Sequence, residues 1–248
     1  MSTHIHSHFY PHSYPTAPRD PDVLGELLHS LSQPLTGLRC SLELSLQLPL
    51  DLSIEQVAQQ QRESVAAALE QTEKVIGMIQ LMREYLDAAR PGAETVSSAL
   101  APVLQSVIEE LSSIAAVRGV RLLLVGSCTA HLPLPKVRLR LALQYLIATV
   151  IEAQPAGGRV MLLLGEGPTG AVLQVEGDCD VRDRKSVTSL QTALRGARIA
   201  IARRVFENAG ASLLFADDGQ LVLRIPIRAA VSPQRIQPNL EPGSLSQR

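Results

Sequence analysis

From Asp22 onward, Leu24, Leu28, Leu31, Leu35, Leu38 and Leu42 recur at alternating steps of four and three. That is the period of a coiled-coil seam, and it predicts one long amphipathic helix. Asp22 is a good N-cap, and the helix is expected to run to about Gln47, with Pro49 ending it. The short connection "LPLDLS" follows, and Ser53 with Gln56 offers a capping box for a second helix. There Val65, Leu69, Thr72, Ile76, Ile79 and Leu86 share one face. Two long helices joined by a short loop predict an antiparallel hairpin. One hairpin cannot bury two such seams, so a second copy is expected to complete a homodimeric four-helix bundle.

After the linker "AARPGAE" (88–94) the pattern changes character. A helix near 98–117 precedes "VRLLLV" (120–125), whose unbroken apolar run predicts a buried strand. Another helix is expected over about 134–153. "GGRVMLLLG" and "GAVLQVEG" read as strands divided by a turn at Gly167-Pro168-Thr169-Gly170. A helix near 192–209 ends at Gly210, and "ASLLFADDGQLVLRIPI" reads as a hairpin turning on Asp218-Gly219. The fold class is therefore α+β: a helical hairpin over 22–90, then an α/β sandwich over 98–228. Residues 1–21 and 229–248, rich in His, Ser, Pro and Gln, read as an unstructured arm and tail.

Composition narrows the function. Apolar residues make up 46% of the chain and aromatics only 3%, so aliphatic seams rather than aromatic stacking build the core. A formal charge of −1 provides no basic field, which predicts no nucleic-acid partner. No run approaches the ~20 apolar residues of a membrane span, and no secretory h-region opens the chain. Cys40, Cys128 and Cys179 are odd in number and far apart, with neither a zinc pattern nor a disulfide framework. A cytoplasmic protein is expected. In the arm, Ser2-Thr3-His4 would form a copper or nickel site if Met1 is removed, with His6, His8 and His12 adding to it. The alternative is a solvated tail with incidental histidines.

"LLHSLSQPLTGL" (27–38) interrupts the first helix. His29 follows the seam residue Leu28 by about 100° round the helix, so it flanks the core and points to solvent. Pro34 cannot donate to the Ser30 carbonyl, and its ring is expected to bend the helix one turn beyond the imidazole. Proline costs ~3 kcal/mol in a regular helix, so some gain is expected to offset it.

"HSLSQPLTGL" resembles the phosphoacceptor box of histidine kinases, in which His is followed by an acid, an apolar residue, a basic or polar residue, then Thr, Asn or Gln and Pro-Leu. Here those places hold His29, Ser30, Leu31, Ser32, Gln33, Pro34 and Leu35. The resemblance implies the dimerisation and histidine-phosphotransfer hairpin, with His29 as phosphoacceptor. A neutral imidazole is nucleophilic near pH 7, and its phosphoramidate is labile enough to pass the phosphoryl to an aspartate. Gln33, one turn on, corresponds to a position that can orient a water for dephosphorylating a receiver domain; the alternative is a polar filler. Ser30 departs from the pattern, because the family's acid there helps take the imidazole proton during attack on ATP.

Residues 98–228 resemble, in their order of elements, the GHKL ATP-binding domain of histidine kinases. The nucleotide boxes differ at their polar atoms. Tyr145, Thr149 and Glu152 stand where an asparagine-bearing helix holds magnesium and phosphates. Gly177 and Cys179 stand where an Asp-x-Gly pair reads adenine, with Asp178 one residue away. Gly196 matches the first glycine of the box that follows the lid (residues 178–195), and Arg198 replaces the second. An apolar frame kept while ligand groups are lost implies a domain retained for binding or scaffolding. Mg-ATP is expected as a cofactor only if the pocket is rescued.

These features predict a phosphorelay protein, a homodimeric histidine phosphotransferase exchanging phosphate on His29 with response-regulator receiver domains. Two alternatives are a divergent ATP-dependent histidine kinase and a pseudokinase scaffold without phosphate on His29.

Overall fold

The computed structural model describes residues 22–47, 53–90, 96–167, 169–178, 189–215 and 220–226. The expectations for the His-rich arm, Pro49, Pro168, Cys179, the Asp218-Gly219 turn and the tail lie outside them.

Helices α1 (Val23–Leu46) and α2 (Ile54–Ala88) fold back on each other as the hairpin. Asp22 caps α1 by accepting from the Gly25 N–H at 3.0 Å. Ser53 and Gln56 form the capping box of α2, their two bonds measuring 3.3 and 3.1 Å. The side of α1 that packs within the chain is not the leucine seam itself. Val23, Leu27, Ser30 and Pro34 are the buried line, while Leu28, Leu35 and Leu42 stay exposed. Leu24, Leu31 and Leu38 lie half-buried between the two. On α2, Ala68, Met78, Leu81, Tyr85 and Ala88 are buried, whereas Val65, Leu69, Ile76, Ile79 and Leu86 are exposed. Both helices thus carry two apolar lines, and one chain covers only one of each.

The sandwich places α3 (Leu100–Val117), α4 (Lys136–Ala153) and α5 (Ser189–Asn208) on one face of a five-stranded sheet. Its strands β2 (Arg121–Gly126), β4 (Arg159–Gly167), β5 (Gly170–Gly177), β7 (Leu221–Pro226) and β6 (Ser212–Phe215) lie in that spatial order. Only β2 and β4 are parallel. Two-residue strands β1 (Ser98–Ala99) and β3 (His131–Leu132) pair beside it. The sheet face under the helices is aliphatic, with Val160, Leu162, Leu164, Leu173, Val175 and Leu223 buried in alternation. By hydropathy and length α3 would pass for a membrane span, contrary to the expectation that no segment approaches one. Its Leu100, Val103, Leu104, Val107, Ile108 and Leu111 instead pack into the core, and Gln105, Glu109 and Ser112 face outward.

Helix α5 begins at Ser189, earlier than expected, and runs unbroken through Gly196. Residues assigned from the sequence to the end of the lid are therefore helical. Packing of Ala193, Ala197, Ala200 and Ile201 into the core overrides the local glycine signal. The same helix contacts both α1 and α2, joining the sandwich to the hairpin.

Candidate functional site

The histidine and its turn come first. α1 continues through Pro34, which is buried, so the proline ring itself forms part of the packed line. The hydroxyls of Ser32 and Thr36 donate to the carbonyls of His29 (2.6 Å) and Ser32 (2.8 Å). His29 is exposed, and Gln33, also exposed, follows it by one turn on the same side. Ser30 is only 5% exposed and belongs to the line that packs within the chain. An acid at that place would be a carboxylate taken out of water, at a cost a neutral hydroxyl avoids. The departure from the phosphoacceptor pattern therefore follows from packing. Gly37 faces the Gln71 side chain of α2, which a methyl there would meet at an ordinary contact distance of 3.4 Å.

Where the resemblance implies a nucleotide pocket, the chain's own side chains are bonded to one another. Thr149 is fully buried, and its hydroxyl donates to the Tyr145 carbonyl at 2.7 Å. The Tyr145 hydroxyl donates to the Glu84 carboxylate of α2. Burial first, and then that carboxylate, push the phenol above its ordinary pKa. Arg198 Nη1 lies 2.6 Å from Glu152 Oε1 in a half-buried pair. The Glu152 carbonyl accepts from Arg195 Nη2 at 2.8 Å and Arg118 Nη2 at 3.3 Å.

Asp178 does not replace the missing adenine-reading acid. Its carboxylate accepts from the Arg159 N–H at 2.9 Å and Arg159 Nε at 3.2 Å, securing the start of β4. Over Gly177 sits the buried Gln154 amide, which donates to the Val150 carbonyl at 3.0 Å and would collide with a methyl on Gly177. Gly196 lies inside α5 rather than in a loop that exposes successive N–H groups. The described residues therefore do not fit Mg-ATP. Asp178 is bonded to Arg159, and Arg198, which replaces the second glycine, is paired with Glu152.

The sandwich is also fastened to the hairpin. Arg138 donates to the carbonyls of Asp87 (2.7 Å) and Arg90 (3.1 Å), and Asn208 donates to that of Ala88 (2.7 Å). These carbonyls lie at the end of α2, where the helix runs out of donors; that of Asp87 also accepts from the Arg90 N–H at 3.1 Å. The Arg204 guanidinium stacks 3.7 Å from the centre of the Tyr85 ring. A cavity of about 270 Å³ remains at this junction, lined by Lys74, Leu81, Glu84, Tyr145, Leu194 and Arg198. A larger one, about 540 Å³, lies at the opposite end of β4 and β5. There Glu166 accepts from the Thr129 N–H and hydroxyl (2.5 and 2.7 Å), which hold its carboxyl below the usual range.

Of the residues singled out from the sequence, His29 and Gln33 share a surface, and Tyr145, Glu152 and Arg198 share the junction between α4 and α5. Glu84, Gln154 and Arg195 were not foreseen. Glu84 reaches Tyr145 across 61 residues, and no local pattern announces that pairing.

No family model matches the chain, and no curated protein matches it in sequence. Solved structures do match. The Acinetobacter baumannii histidine kinase AdeS aligns over 81% of this chain and 98% of its own, at 13% identity and a TM-score of 0.57. Histidine kinase ThkA, solved in complex with the response regulator protein TrrA, aligns over 83% of this chain and 61% of its own, at 13% identity and a TM-score of 0.56. At such identity the likeness is one of fold. The chain has the histidine kinase fold, a helical hairpin followed by an α/β sandwich of the GHKL type.

Proposed function

We propose that the chain is a phosphorelay protein that accepts a phosphoryl group on His29 and exchanges it with the aspartate of a receiver domain. The observation that carries this reading is an exposed histidine on the first helix of a histidine kinase fold whose nucleotide boxes are occupied by their own side chains. An imidazole nitrogen of His29 attacks the receiver's aspartyl phosphate. A new N–P bond forms as the P–O bond to the carboxyl breaks, and the aspartate leaves as a carboxylate. The reverse transfer returns the phosphoryl by the same path. The receiver brings its own magnesium. In this reading Gln33, one turn beyond His29, orients a water at the transferred phosphorus. The likeness to ThkA, solved with its response regulator, supports a receiver as partner.

The working form is a homodimer. Leu28, Leu35 and Leu42 on α1, with Val65, Leu69, Ile76 and Ile79 on α2, are between 45% and 59% exposed in one chain. Long aliphatic lines at coiled-coil spacing match a second copy of themselves, because a two-fold interface sets the same patch against itself. A cytoplasmic location belongs to this reading, since the partners are receivers.

The test is incubation with phosphorylated receiver domains from the same cell. Label is expected to move to this chain in an acid-labile, base-stable form and to vanish in His29→Ala. Absence of transfer from every receiver would leave scaffolding as the better reading.

A further inference from the structure

His29 lacks the acid that the phosphoacceptor pattern places next to it, and Ser30 is buried on another side of the helix. A helical side chain leans toward the turn N-terminal to its own Cα and covers positions three and four residues earlier. For His29 those positions are Glu26 and Gly25. Gly25 contributes only backbone, and Asp22, one turn further back, is committed to the Gly25 N–H. Ser32 and Gln33, on the C-terminal side, are neutral. Glu26 is exposed, and neither its carboxylate nor the His29 ring has a hydrogen-bond partner among the described residues.

The element packed against this turn presents a glycine to the carboxylate. A methyl added at Gly196 of α5 would lie 3.9 Å from Glu26 Oε2 and meet nothing else within 4 Å. The neighbouring cations of α5 are engaged elsewhere, Arg195 on the Glu152 carbonyl and Arg198 on the Glu152 carboxylate. Glu26 thus stands between α1 and α5 beside a residue with no side chain.

We infer that Glu26 is the positioning acid for His29, taking over from one turn earlier the role lost at position 30. This rests on the phosphoacceptor reading. The ring nitrogen nearer the helix is Nδ1, and Nε2 is the one directed outward. When Glu26 accepts the Nδ1–H, the neutral imidazole is held in the tautomer whose Nε2 lone pair is free to attack phosphorus. On transfer the PO₃ group leaves the receiver's aspartyl oxygen for Nε2. Nδ1 keeps its proton, and the positive charge that develops on the ring is set against the Glu26 carboxylate. No proton is lost to solvent, and the reverse transfer retraces these steps. A carboxylate–imidazole contact open in the free protein closes when the partner docks, as is common at such sites.

The test compares wild type, Glu26→Gln, Glu26→Asp and His29→Ala in single-turnover transfer from a phosphorylated receiver. Glu26→Gln is nearly isosteric and exposed, and unchanged thermal unfolding establishes that it folds. It is expected to lower the transfer rate at saturating receiver by roughly 10–100-fold, with the half-saturating receiver concentration unchanged. Glu26→Asp is expected to recover part of the loss. In ¹⁵N spectra of the neutral imidazole, the Nδ1–H tautomer of His29 is expected to predominate in wild type and to lose ground in Glu26→Gln. A Glu26→Gln protein that transfers at the wild-type rate, or an unmoved tautomer ratio, overturns the inference. Label that persists in His29→Ala overturns the phosphoacceptor reading instead, so the two failures are told apart.

Discussion

At the scale of single residues, Tyr145 joins the two halves of the molecule through its hydroxyl on Glu84. Its phenol holds its proton more tightly in the folded chain, because burial and the neighbouring carboxylate disfavour a phenolate there. The sign follows from linkage. Below the ordinary tyrosine value of about 10 both states are protonated, and the contribution to stability is complete. Above it the unfolded chain releases the proton while the folded chain retains it, so stability falls as pH rises toward the folded value. Tyr145→Phe is expected to cost about 1 kcal/mol at neutral pH and to flatten the fall in unfolding temperature above about pH 10. Thermal unfolding at pH 8 to 11 checks both, and an equally steep alkaline limb in the variant would contradict the assignment. Local spacing marked His29 and Gln33 as neighbours. It had no means of showing that Arg198 faces Glu152, or that Gln154 lies over Gly177, because those pairings depend on how α4, α5 and β5 converge.

Among the elements, α5 departs furthest from its sequence reading. A glycine followed by an arginine two positions later resembles a damaged phosphate loop, yet the chain there is regular helix. Alanine in place of a helix-interior glycine gains roughly 0.5–1 kcal/mol, and a methyl at Gly196 has ordinary clearance. Gly196→Ala is therefore expected to raise the unfolding temperature. A fall would mean that α5 presses on Glu26 more closely than 3.9 Å implies. The helix starts at Asp22 and Ser53 were legible because caps are local chemistry, read within a few residues. β1 and β3 were not, since a two-residue strand carries no alternation to read. The leucine seam was legible as a period but not as a face. Its spacing cannot tell which side of α1 is covered within the chain, and that side proved to be Val23, Leu27, Ser30 and Pro34.

For the whole molecule, the uncovered lines on α1 and α2 set the assembly. A charge placed at the centre of a dimer seam meets its own symmetry copy, so Leu35→Glu or Ile76→Glu is expected to yield a monomer that keeps its helix content. Sedimentation equilibrium beside circular dichroism checks this, and a wild-type chain that sediments as a monomer would contradict it. The fastening of α2 to the sandwich through Tyr85, Asp87 and Ala88 is compatible with such a dimer, because those residues lie off the exposed line. The proposed function requires that phosphoryl reach His29 from a receiver and not from ATP. It is tested most directly by presenting the chain with labelled Mg-ATP in one reaction and a labelled phosphoreceiver in another, then locating the phosphate by mass spectrometry. A phosphoramidate at His29 is expected from the receiver alone; label acquired from ATP with no receiver present, or carried on any other residue, would overturn the proposed function.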